Sequence, residues 1–433
     1  MPARICAQLP GTACGGRGMQ PPVLVGMTDT AAYFPLLEGR RVAVLANHTA
    51  VAKFEAPEPG TKPGAGAEPV ACAKPEAGSE PGAAKPGGMP SVGAFLPGAS
   101  VDGTIHLVDL LHGRGFNVTG IFSPEHGFRG TVDAGEHVGN SVDAATGIPI
   151  RSLYDGNTQR PSDEAMRSFD ILLVDMQDVG LRFYTYYISM LRMMDACADS
   201  GCRVVVLDRP NPNGSHVDGP VLDMKYKSGV GALPIPVLHG LTMGEIARMA
   251  VGEGWVKPCR LEVVRCRNYT HDTPYELPVA PSPNLPTQRA VYLYPSICLF
   301  EGTVVSLGRG TDKPFEVYGH PDMKGYTFAF TPRPTAGAKH PPLEGKLCRG
   351  VDLSGMPLGE AREEGLTLKY VMEAYANLGL GDKFFTPMFE KLIGAGYVRE
   401  MIEAGASEEA IRTRWAEDVR RFRALRQRYL LYE

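Results

Sequence analysis

No stretch of this chain approaches the ~20 consecutive apolar residues that a membrane-spanning helix requires, so no integral membrane segment is expected. Nor is there a run of Lys and Arg. With 44 basic against 48 acidic side chains the formal net charge is −4, which gives no electrostatic reason to expect a nucleic-acid partner. The nine cysteines include no CxxC pair, so neither a structural zinc site nor a disulfide framework is indicated. The absence of a GxSxG elbow argues against a nucleophilic serine hydrolase, and the absence of close ligand spacings such as HExxH weighs against a metal-dependent amidase or esterase. No GxGxxG follows the first strand, which disfavours a dinucleotide cofactor; no cofactor and no metal are expected. Residues 1–22 lack the apolar core of a signal peptide and read as a disordered tail.

What is present is a globular composition, 43% hydrophobic and 21% charged, on 433 residues, more than one core ordinarily accommodates. Arg41–Asn47, Asn117–Phe122, Ile148–Tyr154, Asp170–Asp175 and Arg203–Leu207 read as strands. Between them Thr104–Arg114, a segment opening at Ser162, and Tyr184–Ser200 read as helices. This alternation predicts an α/β fold, a Rossmann-like doubly wound parallel sheet over residues 23–237. Residues 55–99 interrupt it: 28 of these 45 are Pro, Gly or Ala, too little apolar area to offset ordering entropy, so a disordered insertion is expected. Residues 238–433 predict a smaller α+β domain: a helix at Met243–Glu253, strands at Arg260–Cys266 and Thr303–Leu307, then helices at Leu366–Asn377, Phe385–Leu392 and about Ser407 to Tyr429.

Open parallel sheets bind ligands outside the carboxyl ends of their strands. Those ends here carry Asn47-His48-Thr49, Ser123-Pro124-Glu125-His126, Asp175-Met176-Gln177-Asp178 leading to Arg182 and Tyr184, and Asp208-Arg209-Pro210-Asn211. Asp175 reads equally as a turn cap, and Asp208 equally as half of a local ion pair with Arg209. Glu125, between a Pro and a His-Gly, lies outside any helical face that would merely solvate it. The second half adds His239, Asn284, Glu301 and a Gly-rich loop with Arg309 and Asp312, suited to a carboxylate or sugar hydroxyls.

The runs SPEHGFRG (123–130), DMQDVGLRFYTY (175–186), LDRPNPNG (207–214), LHGLTMGEIA (238–247), PSPNLP (281–286) and LFEGTVVSLGRGTDKPFE (299–316) resemble the exo-β-N-acetylmuramidase family. So does the closing stretch from Ser407 to Tyr432, and the similarity runs from about residue 23 to the end, broken by the insertion. The resemblance implies release of terminal N-acetylmuramic acid from non-reducing ends of peptidoglycan fragments, in a cleft between a Rossmann-like catalytic half and a smaller C-terminal half. It also implies a place in the cell envelope, although no signal peptide is evident.

Hydrolysis of a glycosidic bond normally draws on two carboxylates. Glu125 is the expected general acid, its pKa raised by partial burial, with His126 orienting it. Asp175, Asp178 and Asp208 are candidates for the second role, which the substrate's own acetamido group could share. Arg182 or Arg309 suits the lactyl carboxylate of muramic acid. Tyr184 and Asn211 suit the sugar, and Asn47, His48, His239, Asn284, Glu301 and Asp312 complete the expected binding set. Two other readings compete: a metal-dependent cell-wall amidase or esterase using His48, His126, Asp175, Asp178 and His239, and a non-catalytic glycan-binding protein.

Overall fold

Alternate residues along each central strand enter two different cores, as apolar runs do when both faces of a sheet are covered. The computed structural model describes residues 21–54, 103–124, 128, 141–153 and 160–433. The expected insertion lies outside them, as does nearly all of the expected tail. Up to residue 264 the strands are β1 (Val42–Ala46), β2 (Val51–Lys53), β3 (Thr104–His106), β4 (Val118–Ser123), β5 (Ser141–Val142), β6 (Pro149–Ser152), β7 (Ile171–Asp175), β8 (Arg203–Leu207) and β9 (Arg260–Val264). Ala43, Leu45, Leu172, Val174, Val204 and Val206 point into one core. Val42, Val44, Ala46, Ile171, Leu173, Val205 and Leu207 point into the other.

The sheet order is β5-β6-β4-β1-β7-β8-β9, and only the edge pair β5–β6 is antiparallel. Numbered by their place in the chain, the six parallel strands lie 3-2-1-4-5-6, the doubly wound order. Its direction reverses between β1 and β7, and the crevice above those two strands is where this architecture holds ligands.

Local chemistry fixes the covering helices. Helix Tyr186–Ser200 stops at Gly201, whose φ of 72° lets its N–H return to the Cys197 carbonyl. Helix Met243–Gly252 begins with a capping box: Thr242 accepts the Glu245 N–H, and Glu245 accepts the Thr242 N–H.

Three expectations change. The segment expected as one helix from Thr104 starts as β3, paired antiparallel with β2, before helix Leu107–Gly113. Thr303–Leu307 is no strand; only single bridges, Thr303 to Phe385 and Ser306 to Gly319, touch it. The boundary expected at 237/238 does not end the sheet either. Helix Met243–Gly252 and β9 follow it, and β9 pairs in parallel with β8.

The C-terminal part holds β10 (Val317–His320), β11 (Phe328–Phe330) and β12 (Cys348–Asp352) as a small antiparallel sheet. Helix Glu408–Arg426 then binds the two parts together. The Trp415 indole N–H donates to Asp218 at 2.9 Å, and Arg426 donates to the Gly240 carbonyl at 2.6 Å. The last residues return to the first half, where the Tyr432 hydroxyl donates to Asp208 at 2.7 Å and the Leu431 N–H to Glu245 at 2.7 Å.

Candidate active site

Thr49 ties the end of β1 to the end of β7. Its N–H and hydroxyl both donate to Asn47 Oδ1, at 3.0 and 2.6 Å, and its hydroxyl oxygen accepts the Gln177 N–H at 2.9 Å. The Gln177 amide donates to the carbonyls of Asp178 and Pro210, at 2.8 and 2.7 Å, which brings in the loop after β8. Around this framework three polar atoms have no hydrogen-bond partner among the described residues: Asn47 Nδ2, Gln177 Oε1 and Asp178 Oδ2. Their residues are 0%, 2% and 5% exposed. Folded proteins leave few buried polar atoms unpaired, because each costs the full desolvation of the group.

Asp178 is the one carboxyl among the three. Its Oδ1 accepts the Gly180 N–H at 2.7 Å, in a turn where Gly180 has φ of 83° and an added Cβ would strike the Asn211 side chain at 2.1 Å. Burial pushes its pKa up to about 7, outweighing the Gly180 and Val179 N–H groups that favour the anion. A carboxyl that exchanges its proton near neutrality suits acid–base work.

The loop at 280–286 forms one wall. His48 Nε2 bonds the Ala280 carbonyl at 2.8 Å, and the hydroxyls of Tyr184 and Tyr186 donate to the Pro281 carbonyl at 2.9 and 3.0 Å. Asn284 is tied in turn to the Gly337 carbonyl. Burial, with Tyr186 and Asp178 adding, drives the Tyr184 phenol well above the usual range, so it stays a neutral donor. Tyr294 packs edge-on against Tyr184 and Phe315, and the Arg309 guanidinium lies over the Phe315 ring. Arg309 is held by Glu301 at 2.6 and 3.0 Å through Nη2 and Nε, which leaves Nη1 outside that pair.

Other expected site residues sit elsewhere or are already engaged. Asp175 is fully buried with both oxygens on the Arg209 guanidinium, one contact being 3.0 Å. Arg209 is therefore the partner of Asp175 rather than of its neighbour Asp208. Replacing Arg209 by Met strands the Asp175 charge in the core and is expected to cost about 3–5 kcal/mol in denaturant unfolding. A loss below ~1 kcal/mol would contradict that role. Asp208 accepts from the Thr242 hydroxyl, the Gly244 N–H and the Tyr432 hydroxyl at 2.6, 2.8 and 2.7 Å, so it anchors the C-terminus.

Arg182, expected to meet a ligand carboxylate, is fully buried and donates to the carbonyls of Pro220, Ile235 and Leu392 at 2.7–2.8 Å. Asn211 bonds the Asn213 N–H and the Leu241 carbonyl. His239 is fully buried, its Nδ1 accepts the Leu241 N–H, and burial pulls its pKa down to about 3, so it is neutral. Asp312 is exposed on its loop. Glu125 and His126 lie outside the described residues. Among the described residues no three His, Cys, Asp or Glu side chains group as ligands for a cation.

Sequence reading passed over Gln177 and Thr49, because neither side chain announces acid–base chemistry. Their one signal was position, each within three residues of the end of a central strand.

Two family models match the chain: the N-terminal domain of exo-β-N-acetylmuramidase NamZ over residues 93–289 and its C-terminal domain over 292–432. The peptidoglycan β-N-acetylmuramidase NamZ of Bacillus subtilis is 39% identical over 353 residues, 75% of this chain and 82% of that protein. Two DUF1343 family proteins of Bacteroides fragilis share the fold. One is 49% identical with a TM-score of 0.78, the other 25% identical with a TM-score of 0.71; each alignment covers 95% of this chain and 99% of the other. With both family models matched in order along the chain and a relative 39% identical over 75% of it, the chain belongs to the exo-β-N-acetylmuramidase NamZ family.

Proposed function

We propose that this glycoside hydrolase releases terminal β-linked N-acetylmuramic acid from the non-reducing ends of peptidoglycan fragments, with Glu125 as general acid and Asp178 as the second carboxylate. The observation that carries the reading is Asp178: a buried carboxyl at the switch point, one oxygen bonded to backbone, the other unpaired, its pKa near 7. Glu125 follows Ser123, the last residue of β4, and β4 adjoins β1 in the sheet. Two carboxylates are what this reaction uses, and Glu125 and Asp178 are the pair assigned to it. Glu125 protonates the leaving oxygen, and Asp178 draws the proton from the attacking water as positive charge develops at the anomeric carbon. Arg309, rather than the engaged Arg182, is left to meet the lactyl carboxylate through Nη1.

The test is release of nitrophenol from para-nitrophenyl β-N-acetylmuramic acid. The account expects release from it and none from the N-acetylglucosamine counterpart, with a chelator changing nothing. Loss of activity with chelator would turn the reading towards a metal-dependent hydrolase.

A further inference from the structure

The three unpaired atoms above β1 and β7 differ in what they require. Asn47 Nδ2 is a donor and needs an acceptor. Gln177 Oε1 is an acceptor and needs a donor. Neither side chain is free to turn its amide over. Asn47 Oδ1 is held by both donors of Thr49, at 3.0 and 2.6 Å, and the Gln177 Nε2 is held by two carbonyls at 2.8 and 2.7 Å. The Thr49 hydroxyl couples the Asn47 side chain to the Gln177 backbone N–H. A ligand that satisfies both must present one acceptor and one donor, as the carbonyl and N–H of a secondary amide do. A carboxylate meets only the donor and sets its charge against the Gln177 oxygen. A free ammonium meets only the acceptor and repels the Asn47 amide.

We infer that Asn47 and Gln177 read the 2-acetamido group of the terminal sugar, Asn47 Nδ2 donating to its carbonyl and Gln177 Oε1 accepting its N–H, so that the enzyme requires an N-acetylated substrate. This rests on the muramidase reading and adds what selects within it. The lactyl carboxylate is then recognised elsewhere, and de-N-acetylated chain ends are refused. Discrimination is steep, because a substrate without the amide leaves two buried groups unpaired in the complex.

The experiment compares the para-nitrophenyl glycosides of N-acetylmuramic acid and of muramic acid, which carries a free amine, on the whole protein. For the wild type, kcat/KM for the acetylated substrate is expected to exceed the other by at least ~100-fold. Asn47→Asp keeps the oxygen that Thr49 holds and replaces the donor by an acceptor; it is expected to bring that ratio below about tenfold. Gln177→Met, which removes the acceptor, should narrow it in the same direction. A wild-type ratio within about threefold of unity overturns the inference, and so does a variant that loses both activities in proportion. Calorimetric titration with free N-acetylmuramic acid and with muramic acid reads the same selectivity without turnover. If neither glycoside is cleaved, the hydrolytic reading fails. The acetamido assignment then stands if the acetylated sugar alone binds and Asn47→Asp abolishes that preference, and falls if both sugars bind alike.

Discussion

Replacing Asp178 by Asn is expected to lower kcat/KM at least ~100-fold and, at pH 8, to make the protein more stable by about 2–4 kcal/mol. Both effects come from one buried carboxyl. Its native pKa is about 7 and its ordinary value 3.8, the shift caused by burial. Between pH 4 and pH 7 the native state therefore holds a proton that the unfolded chain has released, and stability falls as pH rises through that window. An amide cannot ionise, so the variant lacks this slope and gains most above pH 7. It still offers Gly180 an acceptor of the same shape. Melting curves at pH 5 and pH 8 check the point: the gain should be clear at pH 8 and smaller at pH 5. Equal shifts at both values, or retained activity, would remove Asp178 from the reaction.

Replacing Glu125 by Gln should cost still more, at least ~10³-fold on a natural glycosidic bond, because the leaving sugar oxygen departs poorly without a proton. The leaving group tells acid from base. On a 2,4-dinitrophenyl glycoside, whose phenolate leaves unaided, the loss for Glu125→Gln should shrink to about tenfold. Asp178→Asn should remain impaired on the same compound. Equal losses for Glu125→Gln on both substrates would mean that Glu125 does not protonate the leaving group.

Much of this architecture was legible in the residues. Runs such as Val42–Ala46 and Ile171–Asp175 are buried on both faces, and only a covered parallel sheet makes such runs useful. The carboxyl ends of the strands followed from the alternation, and with them the candidates Asn47 and Asp178; the strand order, and so the switch point, came from the structure. What could not be read was which strand-end groups were already engaged. Asp175 is claimed by Arg209, 34 positions on, and Asp208 by Tyr432, 224 positions on; neither partner is marked by spacing. Arg182 looked like an anion site because guanidinium chemistry is conspicuous, yet three carbonyls from distant loops take it. The helix Gln288–Ile297 was hidden by Pro295 near its end, although Thr287 caps it through the Ala290 N–H. The early boundary had another origin: Arg260–Cys266 reads as a strand, but its parallel pairing with β8 is non-local and no spacing in the sequence marks it.

The most direct test of the central claim uses two disaccharides, N-acetylmuramyl-β-1,4-N-acetylglucosamine and N-acetylglucosaminyl-β-1,4-N-acetylmuramic acid, with products followed by mass spectrometry. The account predicts that the first alone is split, yielding free N-acetylmuramic acid. Cleavage of the second, or of neither, would contradict it.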